Sequence, residues 1–346
     1  MSANAEKVGG EKLAVVLFSM GGPDRLEAVQ PFLFNLFNDP AIFRMPALPR
    51  RLLASLISRR RAGPASEIYR HLGGRSPLLE NSEAQARALE AALGDRETAR
   101  CFVAMRYWHP FADEVVPAVK AFAPDRIVLL PLYPQWSTTT SASSVADWNR
   151  AAAKAGLVKP TRTICCYPTE PGFIAAQANA IRPLYRAAAN HGRTRVLFSA
   201  HGLPEKIVKA GDPYQWQCER TAEALAAALG IPALDWVSCY QSRVGPLKWI
   251  GPETAAEISR AGREGVAVVV VPIAFVSEHS ETLVELDIEY RALAERAGVP
   301  AYLRTPTVGV APEFIAGLAR LVREGDGERR CPGAWTGCAR EEGARA

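Results

Sequence analysis

Five carboxylates, Glu278, Glu281, Glu285, Asp287 and Glu289, fall between positions 278 and 289, a stretch without lysine or arginine. Like charges four residues apart cost a helix about 0.2–0.5 kcal/mol per pair, so such a run calls for a use. Glu281, Glu285 and Glu289 sit four apart and stack along one helix face, while Leu283, Leu286 and Tyr290 supply the opposite, buried stripe. A solvated stripe normally interleaves lysines; this one opens with His279 and follows an apolar run. Imidazole and carboxylate together suit Fe²⁺, Co²⁺ or Zn²⁺. The spacing is not H-E-x-x-H, so transfer of an ion fits better than hydrolytic activation of water. A second imidazole, His201, directly follows the run 195–200 and precedes Gly202. There a group titrating near neutral pH would stand at the end of a strand where a ligand can approach closely. The bland alternatives are a satisfied, half-buried histidine and a solvated acidic stripe.

These groups need a scaffold, and the pattern supplies one. β-Branched runs bounded by turn residues lie at about 13–20, 101–106, 126–132 and 162–167, then at about 195–200, 235–240, 266–276 and 301–305. Helix-period segments such as 80–93, 110–122, 171–190, 213–229, 279–297 and 311–323 separate them. The alternation predicts an α/β protein of two Rossmann-like domains, each a four-stranded, mainly parallel sheet flanked by helices. The divisions are 11–168, 169–323 and a flexible tail, 324–346. Ligands of such sheets bind beyond the carboxyl ends of the strands, so the active site is expected in the cleft between the domains. Gly21-Gly22-Pro23 lacks the G-x-G-x-x-G spacing and no P-loop lysine follows it, which argues against a nucleotide loop.

The 346 residues, 48% hydrophobic and 22% charged, match a globular chain of about two domains and exclude disordered and collagen-like classes. Forty-one basic against 36 acidic residues leave +5, too little over this length to point to nucleic acid. Seven cysteines without repeated spacing, and no signal-like segment, lead to an expectation of reduced thiols in the cytoplasm. The longest apolar run, 265–276, is too short for a membrane helix.

The strand-end residues then fall into a familiar set: Met20-Gly-Gly-Pro23, Tyr69-Arg70 with Gly73-Gly-Arg-Ser-Pro77, Arg106-Tyr107, Tyr133-Pro134-Gln135, Ser199-Ala-His-Gly-Leu-Pro204, Gln241-Ser-Arg-Val-Gly-Pro246 with Trp249, and Pro272 through Leu283 continuing to Tyr290. From about residue 13 to 323 the chain resembles the ferrochelatase family, enzymes that insert ferrous iron into protoporphyrin IX in the last step of haem synthesis. The resemblance implies that His201 is the catalytic histidine, Glu281 its acidic partner, and His201, Glu281, Glu285 and Glu289 the groups that handle the metal. It also implies a porphyrin site in which Met20, Tyr107, Trp249 and Phe275 pack on a bent ring, with Tyr133 beside them. Guanidinium pairs carboxylate in bidentate fashion, so Arg106 with Tyr69, Ser76 and the arginines of 50–61 is expected to meet the propionates. No cofactor is required; Fe²⁺ is a substrate. Insertion of iron into coproporphyrin is the nearest rival, and a non-catalytic porphyrin or haem carrier another. The oligomeric state is left open.

The segment 32–61 alternates apolar blocks (Phe32, Phe34, Phe37, Phe43, Met45, Leu48, Leu52, Leu53, Leu56 and Ile57) with Arg50, Arg51, Arg59, Arg60 and Arg61. It reads as a lip resting peripherally on the anionic inner face of the cytoplasmic membrane and receiving an apolar porphyrin. An ordinary core helix is the alternative. Some ferrochelatases hold a [2Fe–2S] cluster with tail cysteines. Here the tail offers Cys331 and Cys338, Ala334 stands where a third would fall, and Ser137-Thr138-Thr139 offers none. The expectation is no cluster, free tail thiols, and core roles for the other cysteines.

Overall fold

A computed structural model describes residues 11–94, 98–243, 245, 247–325 and 331–332. Its first half runs β1 (Lys12–Ser19), α1 (Val29–Phe37), α2 (Ala47–His71), α3 (Leu78–Leu93), β2 (Thr98–Met105), α4 (Ala112–Phe122), β3 (Arg126–Pro131), α5 (Ser141–Lys154) and β4 (Thr161–Thr163). The second runs α6 (Pro171–Ala189), β5 (Thr194–His201), α7 (Glu205–Lys209), α8 (Tyr214–Leu229), β6 (Asp235–Gln241), α9 (Thr254–Glu264), β7 (Ala267–Pro272), a π-helix (Glu281–Glu289), α10 (Tyr290–Arg296), β8 (Tyr302–Arg304) and α11 (Pro312–Glu324). The sheets have the orders β2-β1-β3-β4 and β6-β5-β7-β8, and every pairing is parallel. One plan is thus used twice.

Proline punctuates both sheets at matching places. Pro131 pairs with Phe18 and Pro272 with Ser199, and a residue without an N–H weakens the ladder there. The apolar run expected as a strand to 276 therefore leaves the sheet after Pro272, and 273–276 becomes the loop that leads to the π-helix. β4 likewise stops at Thr163, short of 167, and Cys165 to Tyr167 turn inward as a buried loop.

The central strands are apolar on both faces, as parallel strands between helix layers must be. Leu13, Val15 and Leu17 of β1 share one cluster with Val196 and Phe198 of β5 and Val269 and Val271 of β7. The alternate residues Ala14, Val16 and Phe18 pack outward on α4 and α5, and Leu197, Val268 and Val270 on α9 and α10. One core therefore runs between the two sheets. Helix α11, at the end of the second half, packs on α3 as well as α6, and Arg323 donates to the carbonyls of Ala92 and Leu93 at 2.9 Å.

Helix α3 also grips the loop before the π-helix. Fully buried Gln85 donates through Nε2 to the carbonyls of Val276 and Gly309, each at 2.9 Å, and accepts from the Ser277 hydroxyl at 3.1 Å. One turn earlier, Asn81 donates to the Glu278 carbonyl at 3.0 Å. Gln85→Leu keeps the shape but strands these buried groups, and each unsatisfied group costs about 1–3 kcal/mol. We expect a clearly lower midpoint of urea unfolding at unchanged slope; a midpoint equal to wild type would refute this account of the joint.

Candidate active site

His201 ends β5, the strand from which the second sheet extends both ways, to β6 and to β7. Chain order reverses there, which opens a crevice at the carboxyl ends of the strands. His201 Nδ1 lies 2.7 Å from Glu281 Oε2 at the first turn of the π-helix. With Nδ1 engaged, Nε2 is the nitrogen left to exchange a proton with substrate. Both side chains are half-buried. Burial opposes the charged form of each, but their mutual attraction prevails. Glu281, helped by the more distant Glu285, holds the His201 imidazolium above its ordinary range. His201 brings Glu281 down to about 2.

His279 behaves oppositely. Burial pulls it below its ordinary range despite Glu281 and Glu278. The Glu281 N–H donates to its Nδ1 at 3.1 Å, which fits a neutral ring, and Phe275 meets it edge-on at 4.5 Å.

The winding of 281–289 departs from expectation. The Tyr290 N–H donates to the Glu285 carbonyl, five residues back, so the run is a π-helix rather than an α-helix. The wider turn changes the buried set to Thr282, Val284 and Leu286; Leu283 and Tyr290, expected in it, are only partly covered. Glu285 turns to the end of β6, where it meets Ser242, Gln241 and Tyr290. Its carboxyl is raised by burial and then by the like charge of Glu281. Glu289 is exposed. Among the described residues no three His, Cys, Asp or Glu side chains converge as a ready-made ion site. The four residues expected to handle metal thus divide into a close pair, His201 and Glu281, a bound-up Glu285 and an outlying Glu289.

The other expected residues come from both halves. Tyr69 of α2 is buried near Ser280 and Glu281, and its hydroxyl is pushed up to about 12, chiefly by burial. A side chain on Gly22 would run into Ser76, so the Met20 loop and the Ser76 turn pack closely together. Trp249 lies 6.5 Å from the His201 ring. Tyr133 lies partly buried near Arg106, and burial raises its hydroxyl.

Arg106 and Tyr107 are otherwise engaged. Asp39 is 3% exposed and so needs a cation and donors. Arg106 pairs with it at 2.9 Å and bonds Ser143 at 2.7 Å, and the Tyr107 hydroxyl donates to it at 2.9 Å. Both residues thereby tie the end of β2 to Asp39, partners that the expected porphyrin contacts did not include.

Cys331 is no loose tail thiol, since it packs on Cys165 and Cys166 beside Trp136. Gln217 Nε2 lies 3.3 Å from Cys166 Sγ and 3.4 Å from Cys331 Sγ. An iron–sulfur cluster needs four thiolates; among the described residues no three such side chains converge as an ion site, and Cys338 lies outside them.

Sequence reasoning quoted Ser242 and Gln241 only as part of a motif, and passed over Asp39 and Gln85. The one local signal for these was a polar residue in an apolar helix or at a strand end.

Comparison with known proteins agrees with this architecture. The structure of SirB from Bacillus subtilis with Fe³⁺ superposes with a TM-score of 0.53 over 92% of this chain and 96% of its own, at 13% identity. A sirohydrochlorin chelatase SirB from the subspecies spizizenii, in complex with cobalt, gives 0.52 over 91% and 95%, at 12% identity. The fold is that of the two-domain chelatases. The ferrochelatase family profile matches residues 12–326. The chain is 55% identical to a ferrochelatase of Caulobacter vibrioides (97% of this chain, 99% of the other) and 56% identical to one of Phenylobacterium zucineum (97% and 100%). This chain belongs to the ferrochelatase family of metal-inserting enzymes.

Proposed function

We propose that the chain inserts Fe²⁺ into protoporphyrin IX, releasing the two pyrrole protons and giving protohaem. The observation that carries this reading is the His201–Glu281 pair, 2.7 Å apart at the switch point of the second sheet and facing residues of the first half. The neutral imidazole accepts a pyrrole proton through Nε2, and the Glu281 carboxylate steadies the imidazolium that results. The same two side chains offer nitrogen and oxygen to an ion shedding its water, and Glu289, exposed two turns along, supplies negative charge on the approach. Trp249, Phe275 and Met20 supply apolar and aromatic surface for a ring held bent so that its nitrogens are accessible. Anaerobic incubation with Fe²⁺ and either protoporphyrin or coproporphyrin, followed by absorbance, tests the reading. Metallation of protoporphyrin in preference is expected; binding without metallation would indicate a carrier, and preference for coproporphyrin would reassign the substrate.

The lip supports an apolar substrate delivered from a membrane surface. Among the described residues no helix is long and apolar enough to cross a membrane. On α2, however, Leu48, Leu52 and Leu56 are 72%, 67% and 57% exposed, spaced four apart on one face. Arg51, Arg59, Arg60 and Arg61 on the same helix are also exposed. An apolar stripe with arginines suits the cytoplasmic, anionic surface of a bilayer, where each basic residue contributes about 1 kcal/mol. Arg50 is excepted, because its guanidinium caps the carbonyls of Asn38 and Met45 at 2.8 Å. Replacing those four exposed arginines with Ser is expected to release the protein from anionic vesicles in sedimentation at low salt. Equal binding by wild type and variant at low and high salt would sink the electrostatic part of the idea.

A further inference from the structure

Ser242 follows β6 with φ at 60°, in the left-handed region that a residue with a side chain enters at a cost, and it stands beside the His201–Glu281 pair. What holds it there is Glu285. The Ser242 N–H donates to Glu285 Oε1 at 2.8 Å and the Ser242 hydroxyl meets Oε2. The Tyr290 hydroxyl reaches Oε1 at 3.0 Å and Gln241 Nε2 reaches Oε2 at 3.1 Å. Each carboxylate oxygen therefore meets two donors, which fills its lone pairs and leaves none for a cation. The same groups touch Glu281: Gln241 Nε2 donates to its carbonyl at 3.1 Å, and Ser242 Oγ lies 3.0 Å from its Oε2.

We infer that Glu285 is a positioning residue, not a metal ligand: with Ser242 and Gln241 it latches the π-helix to the end of β6 and so fixes Glu281 against His201. The latch rests on the reading of that pair as the reacting centre. It separates two neighbouring acids of one ladder by geometry alone, since Glu281 faces an imidazole and Glu285 faces only donors.

The test combines steady-state Zn²⁺ insertion with calorimetric titration of Zn²⁺ in the absence of porphyrin, for Glu285→Gln, Ser242→Gly and the double variant. Glycine keeps the left-handed backbone and its N–H while deleting the hydroxyl. Each single variant is expected to lose about tenfold in kcat while the KM and Kd for Zn²⁺ stay within about twofold. The double variant is expected to be no worse than the more severe single one, because both open the same latch. A rise of about tenfold in KM or Kd for Zn²⁺ on Glu285→Gln, or losses that multiply in the double variant, overturns the latch and returns Glu285 to the metal. If Glu285→Gln fails to fold, Ser242→Gly decides alone: a lower kcat at unchanged Zn²⁺ affinity supports the latch, and an unchanged kcat overturns it. A wild type that binds Zn²⁺ but inserts none contradicts the proposed reaction, and the latch then stands or falls on the titration of Glu285→Gln.

Discussion

Turnover of His201→Ala is expected to fall by at least about 100-fold, within the range that a positioned acid–base group contributes, while porphyrin still binds. Proton acceptance is lost outright, because the other imidazole at the site, His279, is held neutral by burial and its Nδ1 already accepts the Glu281 N–H. Ring packing is kept, because Trp249, Phe275 and Met20 are untouched by the change. Two readouts are needed, fluorescence quenching for porphyrin affinity and anaerobic metallation for rate. A variant that retains a tenth or more of wild-type turnover, less than about 1.4 kcal/mol of barrier, would show that His201 is not the essential base.

Glu281→Gln is the second large effect, and it has a pH signature. The wild-type carboxylate raises His201 above its ordinary range, so the neutral, proton-accepting imidazole appears only as pH rises through that raised value. The acid limb of kcat/KM should therefore lie above about 6.5 in the wild type. Removing the charge leaves burial, which disfavours the imidazolium, so the limb moves to lower pH. At neutral pH more of the base is then unprotonated, yet the imidazolium formed in the reaction has lost its counter-charge and the metal a ligand. A fall in kcat of about 100-fold together with a downward shift of the limb is the expected pair of results. A fall without any shift would place Glu281 with the metal alone; unchanged kcat would remove it from the mechanism. The pair also ties stability to pH. The contribution of Glu281 is present above its ordinary range and fades as pH falls toward about 2, and that of His201 is lost as pH rises through its raised value.

The sequence by itself carried the repeated strand and helix plan, the placement of His201 at a strand end, and the acidic run near it. Buried parallel strands must be apolar on both faces, and turn residues must bound them, so periodicity reports them directly. Tertiary structure alone decided the rest. Glu281 meets His201 across 80 positions of chain, and Gln85 meets Val276 across 191, and no local pattern encodes which distant donor a carboxylate or amide will find. Arg106, exposed by type, is consumed by Asp39 because a buried charge must be paired. The acidic run was legible as a helix but not as a π-helix: spacing reveals that one face is apolar, but not that a wider winding buries Thr282, Val284 and Leu286 and sets Glu281 and Glu285 against Gln241 and Ser242.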